Sequence, residues 1–126
     1  MNSPLPPEPR RHGRRYQNHE VRVMRLRELP ADLKHCDTPE LAYHYWEANI
    51  TSAPWYNPEV EALCVIHLNT RTRATGFHLV AMGTQDTILV HAREVFRAAI
   101  VASASKIILA HSHPSGVMSH PALCRM

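Results

Sequence analysis

The segment Ala62-Leu63-Cys64-Val65-Ile66-His67-Leu68 is short and almost continuously apolar, the pattern of a central strand covered on both faces. Asn69 to Arg73 form a polar turn, and Ala74 to Met82 resume as a second strand closed by Gly83-Thr84. This spacing predicts a hairpin with a loop of about five residues. Thr87 to Val90 fit a third short strand. Residues 92–104 carry Val95, Phe96, Ala99, Ile100 and small residues at helical spacing, and Lys106 to Ala110 then read as a buried strand. Upstream, residues 37–50 predict a helix. Asp37 or Thr38 would cap it, Pro39 suits its first turn, and Leu41, Ala42, Tyr45 and Trp46 form one apolar face. Residues 19–28 alternate apolar and basic side chains and predict an edge strand. The order hairpin, helix, strand predicts an α/β fold: a mixed sheet flanked by helices, with a right-handed helical crossover.

Composition narrows this picture. A chain of 126 residues with 44% hydrophobic content suits one globular domain, here 19–126, behind a flexible arm at 1–18 that holds four of the ten prolines. No apolar run approaches the ~20 residues that span a bilayer, and Met1 to Arg15 contain no signal-like segment. A cytoplasmic protein without a membrane association is expected. Cys36, Cys64 and Cys124 are widely spaced, with neither a disulfide framework nor a C-x-x-C pair, and Cys64 reads as a buried core thiol. Much of the +3 net charge lies in Arg10, Arg11, Arg14 and Arg15, which suit either a solvated tail or a weak nucleic-acid contact.

The candidate chemistry lies in Ile107-Ile108-Leu109-Ala110-His111-Ser112-His113-Pro114-Ser115-Gly116, an apolar strand that ends in His-x-His. Residues i and i+2 of an extended chain point to the same side, so both imidazoles can converge on one cation. A catalytic zinc site needs three protein ligands, so this pair is only part of one.

The run from Val90-His91-Ala92-Arg93-Glu94 through Ile-Ile-Leu-Ala-His-Ser-His-Pro-Ser-Gly resembles the RadC-like JAB/JAMM domains, as do Leu68-Asn69-Thr70-Arg71 and Gly83-Thr84. The resemblance covers about residues 60–116 and extends more loosely to Cys36–Glu40. It implies the JAB/JAMM sandwich, similar to the cytidine-deaminase arrangement, and a zinc-dependent peptidase or isopeptidase acting on a peptide or protein substrate. It also carries a historical association with DNA repair. In this reading His111 and His113 are zinc ligands. A third ligand, an aspartate in such domains, falls on Cys124, with His120 as an alternative. The catalytic glutamate's position falls on His78, which is either a base or a surface residue of its strand. The serine's position falls on Pro121, with Ser115 and Ser119 nearby.

These departures imply hydrolysis that is weakened or lost. The similarity ends at Gly116, which suggests a fold incomplete at its C-terminus. A non-catalytic RadC-like scaffold or DNA-associated module is the alternative reading.

Overall fold

The computed structural model describes residues 24, 27–28, 35–83 and 90–114, together with the backbone of 122–125. The arm at 1–18, nearly all of the strand expected at 19–28, and the strand expected at 87–90 apart from Val90 lie outside the described residues.

Helix α1 spans Pro39–Tyr45. Thr38 is its cap, with the hydroxyl accepting from the Leu41 N–H at 3.3 Å, and Pro39 fills the first turn. The predicted helix continues to Ile50, but Trp46–Ile50 is a π-helix, here α2. Its widened ladder has a local cause: the Asn49 side-chain amide donates to the Tyr45 carbonyl at 3.0 Å, and the Thr51 N–H reaches back to Trp46 O at 3.2 Å. Strand β1 is Glu61–Leu68 and β2 is Ala74–Gly83, leaving Asn69–Arg73 as the expected loop. Asn69 Oδ1 shapes that loop by accepting from the N–H groups of Arg71 (2.9 Å) and Arg73 (3.0 Å), while Thr72 takes a left-handed φ of 56°.

Helix α3 is Ala92–Val101 and ends three residues before the predicted boundary of 104. Ser103 adopts φ 53°, so its N–H meets Ile100 O and the Ala104 N–H meets Ala99 O, both at 3.0 Å. This is a Schellman closure with serine where glycine is usual. Strands β3, Lys106–Ser112, and β4, Ala122–Arg125, complete the described sheet.

The sheet order is β2-β1-β3-β4, and each neighbouring pair is antiparallel. The expected crossover is present, since β2 and β3 both oppose β1 and so run parallel to each other. Because β1 inserts between them, every neighbouring pair among the described strands is antiparallel, where the sequence suggested a mixed sheet.

Strand alternation divides the core in two. Cys64, Ile66, Leu68, Ile108 and Ala110 pack with Tyr45, Trp46 and Ile50 on one face. Val65 and Ile107 pack with Val95 and Ala99 of α3 on the other. Cys64 is fully buried, as expected, and so is Cys36. Burial pushes the two thiols up to about 12 and about 11, so neither is a ready nucleophile. Among the described residues, no helix is long and apolar enough to cross a membrane.

Candidate functional site

The β1–β3 ladder ends at the pair Ala62–Ser112, one step beyond Leu63–His111. The side chains of Glu61, Leu63, His111 and His113 share one face by alternation, the face that α3 covers further along the sheet. Past the last pair, the start of β1 and the residue after β3 meet: His113 Nδ1 lies 2.9 Å from Glu61 Oε1. The Glu61 side chain is only 13% exposed and that of His113 37% exposed, so this contact is sheltered from water on the glutamate side. An ionised carboxylate accepts only, so the Nδ1–H donates, and in the neutral ring Nε2 bears the lone pair. The His111 and His113 rings are 4.7 Å apart at 77°, edge to face.

This donor chemistry suits a zinc ion. Two imidazoles stand side by side, and one is oriented through its second nitrogen by a carboxylate, the usual partnership of a metal-ligating histidine. They would be two of the three protein ligands that a catalytic zinc needs. Among the described residues, no group of three or more His, Cys, Asp or Glu gathers in a metal-holding arrangement.

His78 stands elsewhere. It lies opposite Val65 on β2, with β1 between it and β3. Its Nδ1 is 2.7 Å from His67 Nε2 and its Nε2 is 3.0 Å from the Glu94 carbonyl in the first turn of α3. The carbonyl requires Nε2–H on His78, so Nδ1 accepts and His67 donates. His78 thus links β2 to α3, and the structure does not bring it to the His111–His113 pair. The backbone of Cys124 pairs with Ile107, four positions along β3 from His111 and roughly 13 Å away at about 3.3 Å per residue. This register does not bring Cys124 beside the histidines. Ser115 lies outside the described residues.

Glu61 is not singled out in the sequence: the family's carboxylate position falls on His78 of β2, and the β1–β3 pairing that brings Glu61 to His113 is not evident from spacing. The available signal was an acidic residue heading the apolar run 62–68.

His67 adds a pH dependence. It is 5% exposed, and burial, with His78 beside it, holds its imidazole down to about 4. The folded state therefore binds this proton less readily than the unfolded chain. The stabilisation is complete above about pH 6.5 and is lost progressively as pH falls toward 4. Urea titrations should show about 2 kcal/mol lost between pH 7 and pH 5 from this group, and a His67→Phe variant should lack that component. An equal acid loss in the variant would assign it to other groups.

The sequence model of the RadC-like JAB domain matches residues 36–122. Among curated relatives, a UPF0758 protein of Chlorobium phaeovibrioides is 54% identical over 56 residues, covering 44% of this chain and 25% of that protein. The UPF0758 protein tlr1707 of Thermosynechococcus vestitus is 37% identical over 90 residues, 71% of this chain and 34% of that protein. A UPF0758 protein of Thermotoga maritima is 47% identical over 58 residues, 46% of this chain and 26% of that protein. The chain thus spans about a quarter to a third of the length of these relatives.

Proposed function

Since the chain belongs to the RadC-like JAB domain family, we propose that it is a hydrolytic domain of the JAMM type, acting on a peptide or isopeptide bond, with Glu61 as the carboxylate that orients its His113 ligand. The observation that carries this reading is the 2.9 Å contact between Glu61 Oε1 and His113 Nδ1, at the strand end where His111 and His113 stand together. His111 and His113 would hold zinc, with the third ligand outside the pair. Zinc, when bound, supplies Lewis acidity toward a carbonyl and toward water.

The chain's own residues do the rest. Glu61 orients His113 through Nδ1 and so fixes which ring nitrogen faces a cation. A carboxylate held on Nδ1 stands across the ring from a cation on Nε2, so Glu61 acts through the ring, fixing its tautomer and raising its basicity as a ligand. The partial burial of Glu61 keeps water from competing for the His113 Nδ1–H.

Zinc titration by calorimetry tests the ligand assignment. One equivalent should bind the unaltered protein, and His111→Ala should weaken it at least about 100-fold, more than the loss typical of an outer partner. Undiminished zinc affinity in His111→Ala would remove the pair from the site.

A further inference from the structure

We infer that Ser112, the residue between the two histidines, is a positioning residue: its buried hydroxyl clamps the end of the β1–β3 ladder and so holds Glu61 against His113. This inference rests on the reading of Glu61 and His113 given above.

By alternation, Ser112 points to the face opposite the two imidazoles, the face where Ala110 is packed in the core with Trp46 and Ile50. Ser112 is 6% exposed, one of three buried polar residues among those described. An apolar side chain would fill such a place without the cost of burying a hydroxyl, so the hydroxyl needs a partner. It has one: Ser112 Oγ accepts from the Ala62 N–H at 3.3 Å. Ala62 and Ser112 are directly opposite and form the last register pair of the ladder. Terminal pairs are where ladders open first.

What lies just beyond that pair gives the clamp its consequence. The Ala62 N–H belongs to the peptide bond that follows Glu61, and the peptide after Ser112 begins His113. Holding Ala62 to Ser112 therefore fixes the two backbone points from which the Glu61 and His113 side chains extend. If this pair opens, the carboxylate and the imidazole separate, and His113 is free to exchange its tautomer. Ser112 touches neither substrate nor metal in this account.

Nitrogen-detected NMR of the imidazole of His113, without metal, tests the clamp directly. The unaltered protein should show Nδ1 protonated and Nε2 bare, with a slowly exchanging Ala62 amide. In Ser112→Ala, with the fold confirmed by circular dichroism, His113 should show a mixture of tautomers. Ala62 exchange should quicken about fivefold, the worth of one ordinary hydrogen bond, and zinc affinity should fall by a similar factor. Ser112→Thr, which keeps the hydroxyl, should restore the His113 signature. A Ser112→Ala protein with the unaltered His113 signature overturns the inference. If the unaltered protein binds no zinc while the signature still shifts in Ser112→Ala, the clamp stands and the hydrolytic reading falls. If His113 in the unaltered protein is not protonated at Nδ1, both fall.

Discussion

Glu61→Gln is expected to lower the hydrolytic rate at limiting zinc by about tenfold, through weaker zinc binding by His113. The change is nearly isosteric. The amide oxygen of glutamine still accepts from the His113 Nδ1–H, so the ring keeps its orientation, though through a neutral bond in place of a charge-assisted one. What the amide lacks is the negative charge that raises the basicity of the ring. Zinc affinity should therefore fall about tenfold or less, at the low end for an altered partner of a metal-ligating histidine. Single-turnover rates at limiting and at saturating zinc, on any peptide or isopeptide substrate the unaltered protein cleaves, separate weaker binding from slower chemistry. His78→Gln should leave that rate near the unaltered value, because His78 is occupied by His67 and the Glu94 carbonyl. Undiminished zinc affinity in Glu61→Gln would mean that Glu61 does not orient a zinc ligand.

The largest expected effect on folding comes from Trp46→Ala. Trp46 is 1% exposed and stands in the π-helix against the sheet, with its ring edge-on to Tyr56 at 6.3 Å and 82°. It belongs to the same cluster as Ile50, Cys64, Ile66 and Ile108, so removing it opens a cavity between the helices and the sheet. Truncating a buried aromatic costs about 3–5 kcal/mol. Small domains have a total stability of about 5–15 kcal/mol, so this one change consumes a large share. Equilibrium urea unfolding should show the midpoint shift. A loss under about 1 kcal/mol, the scale of a surface substitution, would mean that α1 and α2 do not pack on the sheet as described.

Much of the architecture is legible from local signals. The apolar run 62–68, the polar loop 69–73 and the run 74–82 map onto β1, the turn and β2, because a hairpin is specified by near neighbours. Thr38 and Pro39 mark the start of α1 for the same reason. The end of α3 was misplaced because Ala102 to Ala104 are good helix formers, and only the left-handed turn at Ser103 stops the helix. Pairing is harder to read. Nothing in the spacing says that β1 enters between β2 and β3, yet that insertion makes every pairing among the described strands antiparallel.

The site divides along the same line. His111 and His113 are legible because two side chains two residues apart share a face of one strand. Glu61 is not, because it reaches His113 across a separation of 52 residues through the β1–β3 register. His78 occupies the family's glutamate position in the sequence, which leaves it either a base or a surface residue of its strand. Its actual partners, His67 and the Glu94 carbonyl, are visible only once β1 and α3 are in place.

Diffraction from zinc-loaded crystals, recorded on both sides of the zinc absorption edge, locates the ion without regard to turnover. The account predicts one anomalous peak within bonding distance of a nitrogen of His111 and of His113 Nε2, with the Glu61 carboxylate still on His113 Nδ1. A peak between His67 and His78, or a zinc ion held with Glu61 turned away from His113, would contradict it.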